Sequence, residues 1–272
     1  MAQEIKSNIS TYTADDVFIR DASLINDLIG KVSFTELTFF QILGRRPSLG
    51  ELAVVDAVLV TLMEHGFTPS AIISRLTAMS SPEALQASVA AGLLSVGSAF
   101  VGTTEDAARL LAGIVASPAG IDAAARAAAE AYRKEKRPLP GFGHHLHKPD
   151  DPRSLRLFQV AQDASVPNRH VEALKVFSLH VDDIYGRHIT INATGAIAAV
   201  LSDIGVPIEI MRGFSILSRC AGLIGHIYEE QQMPTGRAMW DQALNSVTYT
   251  GEKGQNVSPH PEKDSASSKV GE

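Results

Sequence analysis

Alanine-dense runs are the strongest constraint on this chain. The segment DAAARAAAEAYRKEKR, residues 122–137, carries seven alanines among sixteen residues. Alanine loses no side-chain entropy in a helix and offers little to bury on a pleated sheet, so such runs favour helix. Aromatic residues make up only 6% of the chain, and no apolar/polar alternation persists along it. An all-α fold is expected. With 272 residues, 45% of them apolar, the chain can bury a sizeable core in one large domain or two smaller ones.

The helices can be placed from their spacing and caps. Leu24, Leu28 and Val32, then Leu37, Phe40 and Leu43, recur at helical intervals. Pro47 breaks that run, and Ser48 can cap the next helix. From Glu51 to Glu64 apolar residues lie nearly all round, as in a helix buried on several sides. Ser81, Pro82 and Glu83 read as a helix start, and the small residues at 88–92 would let another helix approach closely. TTEDAARLLAGIVA and the alanine-rich run give two further helices. More are expected near 153–163, 168–182, 193–204, 209–230 and 237–246. Residues 1–16 read as an extended or loosely held arm. Residues 251–272, rich in Gly, Lys, Ser, Pro and Glu, read as a disordered tail.

Charge and cysteine content exclude several roles. The formal charge is −6 with no concentrated basic stripe, which argues against a nucleic-acid surface. A lone cysteine, Cys220, cannot form an intramolecular disulfide. The chain has neither a signal-peptide pattern nor roughly 18 uninterrupted apolar residues, so no membrane span is expected and the cytoplasm is the simplest location.

One loop does not fit a plain helical protein: KRPLPGFGHHLHKPDDPR, residues 136–153. Gly141 and Gly143 permit close approach of a ligand to the backbone. His144 offers a donor or acid near neutral pH, and Arg153 a bidentate fork for a carboxylate. Together they suggest an anionic substrate; the alternative is a solvated connection with incidental histidines. His144, His145 and His147 have no cysteine or carboxylate at ligand spacing nearby, so no metal is expected.

Four more segments bear on the choice: LMEHGFTPSA at 62–71, AGLLSVGSAFVGTTEDAARLL at 91–111, SRCAGLIGHIYEEQ at 218–231 and the closing GRAMWDQALNSVTYTG. Taken in order with the loop, they resemble citrate synthases, and more closely the citryl-CoA lyase module of ATP-citrate lyases and free-standing short citryl-CoA lyases. The resemblance runs from about residue 18 to 250. It implies two unequal helical lobes, residues 1–108 with 209–250 and residues 109–208, with the active site in the cleft between them. It also implies roles for individual residues. His65 and His144 polarise the substrate. Arg153, Arg219 and Arg237 grip carboxylates, Arg237 reaching across from a neighbouring subunit. Pro140, Gly141, Phe142, Gly143 and Lys148 form the coenzyme A loop. His226 is read as a structural histidine. Arg219 stands in an otherwise apolar stretch, where an unpartnered charge would be costly.

Two departures refine the resemblance. Phe100 stands where citrate synthases have a histidine, and Phe there resembles the lyase branch. Thr194, aligned through Gly195, stands where the family has a catalytic Asp in an Asn-Val-Asp-Gly motif, and Glu64 replaces the Asp usual beside the first histidine. Three activities therefore remain open: retro-aldol cleavage of citryl-CoA or a related 3-hydroxy-3-carboxyacyl-CoA to an acyl-CoA and a 2-oxo acid; another acyl-CoA reaction; or a non-catalytic acyl-CoA-binding subunit. Expected ligands are an acyl-CoA thioester and a polycarboxylic acid, with coenzyme A entering as part of the substrate and no permanently bound cofactor. Long apolar helices suggest a homodimer or higher oligomer.

Overall fold

A computed structural model describes residues 5–97 and 103–250. Eleven α-helices dominate them: α1 Phe34–Leu43, α2 Leu49–Met63, α3 Pro69–Ser80, α4 Leu85–Leu94, α5 Thr103–Val115, α6 Ile121–Glu135, α7 Pro152–Asp163, α8 Arg169–Tyr185, α9 Ala193–Asp203, α10 Met211–Gln232 and α11 Gly236–Ser246. The disordered-tail expectation for 251–272 lies outside the described residues.

The caps explain most of the boundaries. Gly44 ends α1 in the left-handed region at φ 73°, and Ser48 with Glu51 forms a reciprocal capping box on α2. Two expectations are corrected and a third is refined. Ser81 does not start a helix: its N–H bonds to Thr77 O and ends α3, Pro82 and Glu83 turn, and α4 begins at Leu85. The run from Leu24 is two pieces, a π-helical turn Leu24–Leu28 and then α1, which Ser33 caps. The N-terminal arm is partly paired, with β1 Ser10–Tyr12, β2 Val17–Ile19 and β3 Ala22–Ser23 forming a small antiparallel sheet. Strands of two or three residues are too short to show a period of two.

By packing, the described residues fall into two compact units, one within Met1–His65 and Val96–Gly222, the other within Gly66–Ser95 and Leu223–Glu272. These packing units leave the expected lobe boundaries open. In the first, α9 lies deep in the core: Ala193 and Ala196–Leu201 are buried, as is Ile204 just after it. Helices α5, α7 and α8 pack on it, and alanine-rich α6 packs on α8 through Ala125 and Ala129. In the second unit α3 and α4 lie close. A Cβ on Gly92 would stand 2.1 Å from Ser74 Oγ and 2.7 Å from Ser70 O, which is the close approach expected from the small residues at 88–92.

The second unit is also tied by a buried charge. Arg75, 1% exposed, donates from Nε to His226 Nδ1 at 2.9 Å and from Nη1 to Glu230 at 3.0 Å, and its Nη2 pairs with Glu229. Glu230 in turn accepts from the N–H groups of Thr235 and Gly236, which fixes the start of α11. His226 accepts from a permanent cation, so it is a structural acceptor here.

Candidate functional site

Asp151 organises the first unit's polar centre. It precedes Pro152 at the start of α7 and is wholly buried. Its Oδ1 accepts from Arg153 N and Nε, each at 3.0 Å, and its Oδ2 from Arg153 Nη2 at 2.7 Å and Ala193 N at 3.2 Å. One carboxylate thus caps α7, joins it to the start of α9 and fixes the Arg153 fork. Burial alone would raise its pKa; the Arg153 bonds outweigh that and hold it below the usual carboxylate range. Asp151 was not singled out from sequence, although Asp before Pro at a helix start is a capping signal.

Arg153 carries its remaining donors to two imidazoles. Nη1 lies 3.4 Å from His65 Nδ1, and Nη2 lies 3.3 Å from His144 Nε2. The two rings meet edge to face with centroids 5.8 Å apart, and His147 stacks on His144 at 4.3 Å. His144 Nδ1 accepts two backbone N–H groups, from Leu146 at 3.1 Å and His147 at 2.9 Å. A neutral ring so bonded carries its proton on Nε2. That N–H and Arg153 Nη2 are then two donors side by side, the arrangement that an anionic oxygen satisfies. Partial burial first, and the Arg153 guanidinium beside both rings, lower both imidazole pKa values, keeping the rings neutral near pH 7.

Thr194 lies in the first turn of α9. Asn192, the N-cap, accepts at Oδ1 from Thr194 N at 3.1 Å, Gly195 N at 3.2 Å and Thr194 Oγ1 at 2.7 Å, while its Nδ2 donates to Gly143 O at 3.0 Å. The amide orientation is therefore fixed from both ends, and the Thr194 hydroxyl must donate to it. Thr103 Oγ1 stands 3.0 Å from Thr194 Oγ1 and supplies the next hydroxyl of this chain. Loop and helix touch directly at Gly141 and Gly195. A Cβ on Gly195 would lie 2.5 Å from Gly141 O, and Gly141 has φ +82°.

Arg219, on α10, is 12% exposed on its side chain; its Nη1 is buried without a hydrogen bond and lies 3.9 Å from Glu64 Oε1. Burial lowers its pKa and Glu64 partly offsets this. Around the loop, Pro140 and Gly141 are buried, and Phe142 packs edge-on against Phe177 at 5.4 Å, an anchor in the core. Lys148 lines a cavity of about 380 Å³ with Gly143, His144, Arg187, His188 and Thr190. Arg187 and His188 were not singled out from sequence; the signal was a basic pair five residues before the Asn192 cap. His188 is held between Asp182 at 2.6 Å and Asp150 at 3.2 Å, which raises its pKa.

So the fold brings together His65, His144, Arg153 and, through Asp151 and Asn192, the turn bearing Thr194. Arg237 belongs to the second unit, exposed on α11, paired with Asp241 at 3.1 Å and lying over Trp240. Phe100 lies outside the described residues. Among the described residues no group of three or more His, Cys, Asp or Glu side chains could hold a metal ion, and no helix is long and apolar enough to cross a membrane.

Known proteins share this geometry's framework. Citryl-CoA lyase from Hydrogenobacter thermophilus superposes with a TM-score of 0.83 at 31% identity, covering 96% of this chain and 97% of that one. Methanosaeta concilii ATP citrate lyase, solved as a D541A mutant in complex with (3S)-citryl-CoA, shares the fold, with a TM-score of 0.70 at 21% identity over 97% of this chain and 43% of its own. A probable ATP-citrate synthase subunit 1 from Schizosaccharomyces pombe is 25% identical over 209 residues, 70% of this chain. The chain spans 33% of that relative's length. The citrate synthase C-terminal domain matches residues 11–239, and the chain belongs to the citrate synthase family.

Proposed function

We propose that the chain cleaves citryl-CoA, or a related 3-hydroxy-3-carboxyacyl-CoA, into acetyl-CoA or another acyl-CoA and a 2-oxo acid such as oxaloacetate. The observation that carries this reading is the set of donors fixed around Arg153: the His144 Nε2–H, the Arg153 fork and the neutral His65 ring. Donors held by the protein rather than by water suit an enolate or carbonyl oxygen that gains charge as a carbon–carbon bond breaks. Arg219, with a buried N–H lacking a hydrogen bond, adds a carboxylate grip, and Arg237 of a second subunit another. The glycine-lined loop Pro140–Gly143 and Lys148 take coenzyme A, with Lys148 and Arg187 facing its phosphates across the cavity. The lobes expected above, 1–108 with 209–250 and 109–208, supply His65 and Arg219 from one side and His144, Arg153 and Thr194 from the other; their closure would exclude water.

A second reading, a non-catalytic acyl-CoA binder, is favoured by one observation: the Thr194 hydroxyl donates to Asn192 and cannot serve as a base there. Purified protein given citryl-CoA separates the two. Release of oxaloacetate and acetyl-CoA is expected. Coenzyme A binding without turnover would replace the lyase with the binder.

A further inference from the structure

We propose that Arg75 is a positioning residue for Arg237: with Glu230 it clamps the start of α11 and so sets where that helix presents its arginine. The proposal rests on the reading above, in which Arg237 of a second subunit grips a substrate carboxylate. Every residue of the clamp lies in the second packing unit.

Arg237 is placed by its own helix. Its side chain is 66% exposed, and among the described residues its partners are Asp241 at 3.1 Å and the Trp240 ring, both on α11. Its position therefore follows the helix start beside it. That start lacks the usual device, because Thr235, the N-cap, makes no side-chain bond to its own helix. Glu230, near the end of α10, supplies the cap instead. Its Oε1 accepts from Thr235 N at 2.8 Å and Gly236 N at 2.7 Å, and its Oε2 from Thr235 Oγ1 at 2.6 Å. A carboxylate there also suits the positive end of the helix dipole. Gly236 fits so closely that an added Cβ would lie 3.1 Å from Met79 Sδ on α3 and 3.1 Å from Glu230 Oε1.

Glu230 is only 5% exposed, so its charge needs a buried partner. Arg75, one turn before Met79 on α3, provides it, donating from Nη1 to Glu230 Oε2 at 3.0 Å and to Thr235 Oγ1 at 3.3 Å. Burial would raise the Glu230 pKa; the bonds from Thr235, Gly236 and Arg75 outweigh it and hold the group below its usual value. The other Arg75 donors go to His226 and Glu229 on α10, and the Phe67 ring lies over the guanidinium, so the fork is held in one orientation. Apolar side chains of similar volume would often hold the helices together as well. What the charged pair adds is direction: the donors at the helix start converge on one carboxylate, and that carboxylate on one guanidinium.

The test measures citrate affinity by isothermal titration and KM for citryl-CoA in the full chain. The variants are Arg237→Ala, Glu230→Gln and Thr235→Val, with each of the last two also combined with Arg237→Ala. Glu230→Gln keeps the shape and turns an amide NH₂ toward groups that need an acceptor. Thr235→Val, at a partly buried position, removes only the hydroxyl and is the milder cut where the first variant disturbs folding, which circular dichroism checks. Arg237→Ala should weaken citrate binding and raise KM about 10–100-fold. The clamp variants should move both quantities the same way by a smaller factor, with kcat retained, and should add nothing once Arg237 is gone. Wild-type affinity and KM in both clamp variants overturn the proposal while the Arg237 grip stands. Losses that multiply in the double variants do the same, since the clamp then acts elsewhere. Arg237→Ala with wild-type affinity and KM overturns the grip and the clamp together. Absence of cleavage by the wild type overturns the lyase reading, and the citrate titrations still decide the clamp.

Discussion

At the scale of single residues, the site is defined by hydrogen-bond polarity more than by residue type. His144 could present either ring nitrogen; the two backbone N–H groups on Nδ1 leave Nε2–H as the one facing Arg153. Thr194 could donate or accept, and Asn192 makes it a donor. Arg219 is the residue whose loss should read out ligand class most directly. Its Nη1 is buried without a hydrogen bond, and a substrate carboxylate there would gain about 1.5–3 kcal/mol as a charge-assisted pair. Arg219→Lys keeps the charge and loses the fork. Isothermal titration should show citrate binding weakened about tenfold with an unchanged melting temperature. Equal affinity would remove the carboxylate role.

At the scale of elements, the loop 140–151 is held to its neighbours by contacts that can be cut one at a time. Gly195→Ala sets two effects against each other. Alanine favours helix by about 1 kcal/mol, but its Cβ would meet Gly141 O at 2.5 Å, and overpacking of this kind costs about 1–3 kcal/mol. The clash should win, lowering the melting temperature and weakening coenzyme A binding together; a more stable variant would contradict the packing. The loop's other edge is clasped by His188 between Asp150 and Asp182, with Lys148 and Arg187 the other charges around that cavity. Hydrogen bonding to Asp182 raises the folded-state pKa of His188. The clasp therefore stabilises fully below the ordinary histidine pKa, about 6.5, and its contribution fades as pH rises through the raised folded value. His188→Ala should lower the melting temperature at about pH 6. That difference should shrink towards zero well above the raised pKa, and a constant difference would deny that the clasp titrates. Because the ring is 42% exposed, solvent screening keeps the effect small.

For the whole molecule, the described surface carries large apolar side chains that a monomer would leave in water. Leu49 is 87% and Leu94 88% exposed, and Val60, Leu85 and Trp240 are also well exposed. Covering such residues is the usual work of a subunit interface. A second copy would also supply Arg237, which is exposed in its own packing unit. Sedimentation at micromolar concentration should therefore give at least a homodimer. A monodisperse monomer would leave Arg237 without the role proposed for it.

The sequence by itself determined the helices and the family. Alanine density, the Pro47 break and the capping residues act within a few positions, and so survive in a string of letters. The five motif segments likewise placed His65, His144, Arg153 and Arg219 as candidates. It misplaced Ser81, because a Ser-Pro-Glu start signal and a helix-ending serine look alike until the N–H of Ser81 finds Thr77 O. It missed the short strands, too brief to show a period of two, and Asp151, whose role appears only when Arg153 and Ala193 converge on it. Tertiary structure alone decided which atoms donate and which accept. The proton positions on His144 and Thr194 follow from partners brought together by folding: the loop's own backbone for the histidine, and for Thr194 an Asn192 amide whose orientation Gly143, 49 residues away in the chain, fixes. A hydrogen bond's direction is set by both of its ends, and a sequence names the ends without joining them.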